Sequence, residues 1–167
     1  MYEREKTCCF TGHRISKLPW YGNEDDPRCI EMIEKLESML QRIYNGGYRH
    51  FVSGMALGCD TYFAEAVIRL RERYGDVTLE AAIPCRSQAE RWSYSQRQRY
   101  EALLRQCDTV TVLQEQYTPD CMMKRNMYMV DKSNVLLACF NGRSGGTLNT
   151  IRYAKEKGLI CPIIRIE

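Results

Sequence analysis

Two apolar patterns alternate along this chain. One is a short, near-continuous apolar run, found at residues 7–11, 49–53, 77–83, 109–113, 134–140 and 160–166. The other is an apolar side chain every three or four residues, the period of one helix face. Residues 28–44 carry it through Ile30, Ile33, Leu36, Leu40 and Ile43, and Asn45-Gly46-Gly47 ends the run. The next helix places Phe63, Ala66, Val67, Leu70 and Tyr74 on one side. Further helices are predicted over 87–106 (Trp92, Tyr100, Leu103, Leu104), over 121–132, and over 147–157 ahead of Gly158. Near-continuous apolar strands alternating with amphipathic helices predict a mostly parallel sheet of about six strands, covered on both faces. The expected fold is α/β, three-layered, with 1–167 forming a single domain.

Two strands run into glycine-bearing turns that open a helix. The first turn is Ser53-Gly54-Met55-Ala56-Leu57-Gly58-Cys59-Asp60, and the second is Gly142-Arg143-Ser144-Gly145-Gly146-Thr147. Strand, glycine turn, helix is how α/β proteins hold phosphate: glycine lets the backbone approach, and helix-start N–H groups attract an anion. The first turn fits neither G-x-G-x-x-G nor the Walker pattern. A third turn, Thr11-Gly12-His13-Arg14, ends strand one. It is expected to bring Arg14 to the carboxyl edge of the sheet, as a bidentate phosphate or carboxylate holder or as a plain surface side chain. Arg86, just past strand three, is expected at the same edge. An irregular stretch, 15–27, follows strand one, where ligand loops of open α/β sheets lie. Within it, Trp20 and Tyr21 form either a base-stacking lid or the packing that holds the loop down.

Composition narrows the setting. Of 167 residues, 44% are apolar and 27% charged, which suits a globular domain with a real core. The net charge of +3, from 24 basic and 21 acidic residues, is too small to indicate nucleic acid by itself. No apolar run approaches membrane-spanning length and the first residues carry no signal-peptide pattern, so a cytoplasmic location is expected. Nine cysteines, without a Cys-x-x-Cys pair, are expected as buried free thiols. The two histidines, His13 and His50, and the cysteines show no zinc-ligand spacing, so no metal is expected.

Individual side chains leave alternatives open. Asp60 either caps its helix or meets a ribose hydroxyl or a water, and Glu65 lies within the first two turns. Ser144, Gly145 and Gly146 form an anion cradle or a simple helix start, with Thr147 capping the helix or binding a phosphate oxygen. Asn126, four residues from both Met122 and Val130, shares their face and needs a partner, a ligand or a structural hydrogen bond. Arg91, Arg97, Arg99 and Arg105 are expected on a solvated face, and Met122, Met123, Met127 and Met129 in core packing. No nucleophile–base pair and no G-x-S-x-G elbow is present.

Four segments then fall in a specific order over almost the whole chain: Cys9-Phe10-Thr11-Gly12-His13-Arg14, the 53–60 turn, Arg125-Asn126-Met127-Tyr128-Met129-Val130-Asp131, and Ser144-Gly145-Gly146-Thr147. Together they resemble the SLOG superfamily, which unites DNA-processing protein A (Smf) with the "Lonely Guy" cytokinin-activating enzymes, and within it the bacterial YpsA-like family. The resemblance implies a Rossmann-like fold that binds a nucleotide or a nucleotide-derived ligand such as an ADP-ribose derivative, as a binding or sensor module. The residues expected at such a site are Thr11, Gly12, His13, Arg14, Ser53, Gly54, Met55, Ala56, Gly58, Asp60, Arg86, Asn126, Ser144, Gly145, Gly146 and Thr147. Two relatives imply other functions. The "Lonely Guy" enzymes cleave nucleoside monophosphates at the N-glycosidic bond with a P-G-G-x-G-T-x-x-E motif. Thr147 matches its threonine, but Thr150 stands at the glutamate, leaving Asp60 or Glu65 as substitutes in a nucleotide N-glycosidase. The DNA-processing proteins bind single-stranded DNA and share the S-G-x-A-x-G-x-D turn, whereas no basic, aromatic-rich groove shows in this sequence. Relatives often pair, which makes a homodimer an expectation as well.

Overall fold

The computed structural model describes residues 2–167. Six parallel strands form one sheet in the order β4-β3-β2-β1-β5-β6. They are β1 (Thr7–Gly12), β2 (His50–Ser53), β3 (Thr78–Ile83), β4 (Thr109–Val112), β5 (Val135–Phe140) and β6 (Ile163–Arg165). Five helices connect them: α1 (Pro27–Asn45), α2 (Cys59–Tyr74), α3 (Tyr94–Gln106), α4 (Cys121–Asp131) and α5 (Gly146–Glu156). The strand-helix alternation thus gives the expected doubly wound α/β sheet. From β1 the chain adds strands in one direction, then returns to place β5 on the other side of β1. That reversal opens a crevice beyond the carboxyl ends of β1 and β5, the usual ligand position in such sheets.

The two-residue strand period sorts side chains to opposite faces. Cys8, Phe10, Phe51 and Leu79 face the core that α1, α2 and α3 cover, where the Phe10 and Phe63 rings stack at 4.6 Å. Cys9, Val52, Leu136 and Ala138 face α4 and α5. Burying a phenylalanine of this kind contributes about 1.5–3 kcal/mol. All nine cysteines are free, as their scatter predicts. Among the described residues, no helix is long and apolar enough to cross a membrane.

Local chemistry sets the helix ends. Asp26 accepts the Arg28 N–H at 2.9 Å, with Pro27 at the first position of α1. Three expectations need correction. The helix predicted over 87–106 begins only at Tyr94. Ser93 Oγ accepts the Gln96 N–H at 3.2 Å while Gln96 accepts the Ser93 N–H at 3.0 Å, a capping box that fixes the start. Residues before it form tight turns instead, such as Trp92 N–H to Ala89 O at 3.1 Å. The last strand shrinks from 160–166 to Ile163–Arg165 plus a bridge at Ile160, because Pro162 between them has no N–H to donate. Ile30, expected inward, is 46% exposed, and Cys29 and Met32 line the buried side of α1 in its place.

Candidate functional site

Three loops meet at the carboxyl edge. The loop after β1 carries His13 and Arg14 into a 3-10 turn over Ile15–Lys17. The 53–60 turn joins β2 to α2, and residues 141–146 join β5 to α5. Between them lies a cleft of about 130 Å³. Thr11, Gly12, His13, Arg14, Ala56, Asp60, Asn126, Gly146 and Thr147 all line it, so most of the residues singled out in the sequence share one wall space. It opens into two larger cavities. One, of 570 Å³, shares His13 and Lys17 with the cleft and adds Asn141, Arg143 and Ser144. The other, of 450 Å³, shares Arg14, Ala56 and Met122 and adds Tyr21, Leu57 and Trp92.

The 53–60 turn is tied to itself. Ser53 Oγ accepts the Met55 N–H at 3.1 Å, and Asp60 Oδ2 accepts the Ala56 N–H at 3.1 Å. Asp60 does not cap α2: the cap position is Gly58, and Asp60 sits in the first turn. The glycines here serve close packing. A Cβ on Gly12 would lie 2.5 Å from Cys59 Cβ, one on Gly58 2.6 Å from His13 O, and one on Gly54 2.6 Å from Arg125 Cζ. Gly54 makes room for the buried Arg125, whose Nη1 donates to Gly54 O at 2.6 Å while Nε donates to Asn126 Oδ1 at 2.9 Å. Burial pushes the Asp60 carboxyl above its usual value, opposed by the charges of Arg125 and Arg14. Burial likewise lowers Arg125.

The β5–α5 turn is open. Gly145 occupies the cap position of α5 at φ 145° without a side-chain cap, and Thr147 makes none. Nothing would touch a Cβ on Gly146 within 4 Å, whereas one on Gly145 would lie 2.8 Å from Lys17 Nζ. The Lys17 ammonium therefore stands over the N-terminal turn of α5, the positive end of the helix dipole. Two positive ends facing each other disfavour one another unless an anion lies between them. Among the described residues, neither Arg14 nor Lys17 has a carboxylate partner within 4.0 Å. Burial and then the Lys17 charge lower the His13 pKa, and its Nε2 accepts the Asn141 N–H at 3.1 Å.

Other expected residues lie elsewhere. Arg86 is held by Glu115 through Nε at 2.8 Å and Nη2 at 2.9 Å, outside the cleft lining. Glu65 accepts from Arg99 at 2.7 Å and 3.0 Å, and Arg99 also binds Glu24 at 2.6 Å, so Arg99 is a buttress of the 15–27 loop and not a solvated charge. Trp20 packs down at 5% exposure, while Tyr21 stands out at 65%. Met127 is partly exposed and Met122 lines the cleft, so the methionines are not one core set. Lys17 and Arg125 also line the cleft, and neither stands out in the sequence as a site residue. Arg125 was detectable: Cys121, Arg125 and Met129, spaced by four, make the buried stripe of α4, while Asn126 is half-buried beside it.

Comparison with known proteins fits this geometry. The YpsA family model, described as the YspA SLOG family, matches residues 8–158. A UPF0398 protein of Bacillus anthracis (strain A0248) is 30% identical over 159 residues, covering 93% of this chain and 85% of the relative. The uncharacterized SPbeta prophage-derived protein YoqJ of Bacillus subtilis (strain 168) is 26% identical over 144 residues, covering 78% and 84%. Among solved structures, DNA processing protein A (DprA) from Streptococcus pneumoniae superposes with a TM-score of 0.65 at 18% identity. It covers 98% of this chain, which spans about half (51%) of that protein. DprA from Helicobacter pylori, whose structure is described for its single-stranded DNA binding mode, gives 0.62 at 13% identity, covering 96% and 66%. The chain belongs to the YspA SLOG family.

Proposed function

We propose that this protein binds a phosphate-bearing, nucleotide-like small molecule at the carboxyl edge of its sheet, ADP-ribose-like compounds being the class to test first. One observation carries the reading: Arg14 and Lys17, both without a carboxylate partner, flank the uncapped start of α5 in one cleft. A phosphate there would satisfy the first N–H groups of α5 and neutralise the two side chains. Thr147 and Asn126 line the same space, and from the 53–60 turn Ala56 and Asp60 do. Holding fits better than cutting. Glu65 is committed to Arg99, and Asp60, the cleft's carboxyl, accepts the Ala56 N–H beside Arg125. The test is calorimetric titration with inorganic phosphate, ribose 5-phosphate, AMP and ADP-ribose. Arg14→Ala and Lys17→Ala should each weaken phosphate-bearing ligands about 10- to 100-fold, the worth of a charge-assisted hydrogen bond. Unchanged affinity in folded variants would overturn the proposal.

A second reading, binding of single-stranded DNA, is favoured by the extent of the concave surface, since the cleft shares lining residues with both the 570 and the 450 Å³ cavities. It draws on the Helicobacter pylori neighbour only by analogy of fold. An oligonucleotide should then bind with an affinity that falls steeply with salt, while mononucleotides bind weakly.

A further inference from the structure

We infer that the pocket lined by Tyr21, Leu57 and Trp92 takes the nucleobase of the ligand whose phosphate sits between Arg14 and Lys17. The inference rests on the phosphate site proposed above and adds what the other end of the ligand is.

Three features support it. The first is continuity: the pocket shares Arg14, Ala56 and Met122 with the cationic cleft, so a planar group there and a phosphate at Arg14 belong to one molecule. The second is chemistry. Leu57, Trp92, Met122 and Ile15 give this cavity an apolar, aromatic wall. The larger cavity shares Ser16 and Tyr21 with this one and adds Lys17, Asn141, Arg143 and Ser144, polar groups that suit hydroxyls or a second phosphate. The two cavities are therefore unlike: Leu57, Trp92, Met122 and Ile15 line the smaller one alone, and it suits a base better.

The third is preorganisation. Trp92 meets Tyr100 edge-on at 5.1 Å between ring centroids, and its backbone N–H bonds to Ala89 O, so a turn and a ring contact position the residue before any ligand arrives. Tyr21 is 65% exposed at φ 52°, and Met55, at φ 57°, precedes the Ala56-Leu57 pair that floors the pocket. Among the described residues these two are the only non-glycine positions with positive φ. Such backbone strain collects where surroundings hold a functional geometry in place. An exposed aromatic ring on a strained residue is costly for packing alone and well suited to stacking on a base.

The test compares AMP with ribose 5-phosphate, which differ by the base, in calorimetric titrations of the full chain and its Trp92→Ala, Tyr21→Ala and Arg14→Ala variants. AMP should bind the unaltered protein about 10- to 100-fold tighter than ribose 5-phosphate, the range of one base–aromatic stack. Trp92→Ala and Tyr21→Ala should remove most of that ratio and leave ribose 5-phosphate unchanged, while Arg14→Ala weakens both ligands equally. Tyr21 is exposed, so its variant keeps the test valid if Trp92→Ala folds poorly. Equal affinity for the two ligands in the unaltered protein, or a ratio untouched by both aromatic variants, overturns the inference and leaves the phosphate reading standing. Failure of both ligands to bind overturns the two together, and binding of an oligonucleotide in their place assigns the groove to nucleic acid.

Discussion

At the residue scale, the glycines separate into two groups that the sequence could not tell apart. Gly12, Gly54 and Gly58 are small because the Cys59 side chain, the buried Arg125 and the 13–15 backbone, respectively, press on them, so their role is close packing at the cleft. Gly145 is the one placed at the proposed ligand: its φ of 145° disfavours any side chain, and a Cβ there would push Lys17 Nζ aside. Gly146 meets neither limit. Gly145→Ala should therefore strain the turn, displace Lys17 and weaken phosphate binding, while Gly146→Ala should fold normally and even gain about 0.4–1 kcal/mol by stiffening the unfolded chain. Thermal melts with phosphate titrations check both, and equal behaviour of the two variants would remove the argument. In the motif Ser144-Gly145-Gly146-Thr147 the two glycines read as equivalent because conformation is invisible in a string of letters. Lys17 was passed over for a related reason. Its ammonium reaches α5 from a loop far away in sequence, a contact created by the β1–β5 neighbourhood and by nothing local.

At the element scale, the strands and helices were legible because burial imposes periods of two and near four that survive in sequence. The error at α3 is instructive. Trp92 fits the apolar spacing of Tyr100, Leu103 and Leu104, so periodicity alone extends the helix back through it. Ser93 and Gln96 decide otherwise, because a capping box satisfies the first amides only if the chain ahead leaves the helix. That break frees Trp92 from α3 to line the groove. Ser93→Ala should cost about 0.5–2 kcal/mol in urea unfolding. It should also erode the AMP preference, because the turn that orients Trp92 ends at that cap. A variant that loses stability while keeping the full AMP to ribose 5-phosphate ratio would show that the indole is held by Tyr100 alone.

At the scale of the whole molecule, a satisfied polar network and the proposed binding cleft lie toward opposite edges of the sheet. The carboxyl edge leaves cations without partners, while the other end of β2 and β3 holds a satisfied polar network. His50 Nε2 donates to Glu80 Oε1 at 2.8 Å, and Glu80 Oε2 accepts from Tyr128 at 2.7 Å and Thr111 at 2.9 Å. Tyr2 covers it, stacked on His50 at 3.5 Å between centroids. None of this was readable in advance, because it needs the register that sets His50 beside Thr78 and Glu80 beside Thr109. Burial pushes the Glu80 carboxyl up, but the bonds from His50, Tyr128 and Thr111 outweigh burial and leave it below its ordinary 4.5. A depressed carboxyl stabilises the fold fully above the unfolded value and loses that contribution as pH falls through the folded one. Glu80→Gln should therefore cost about 1–3 kcal/mol at pH 7. The gap in melting temperature to the unaltered protein should narrow progressively below pH 4.5. A gap that stays constant down to pH 3 would mean the network acts through packing rather than charge. Because the network lies away from Arg14 and Lys17, AMP affinity at pH 7 should be the same in both proteins, which separates a stability contribution from the proposed binding.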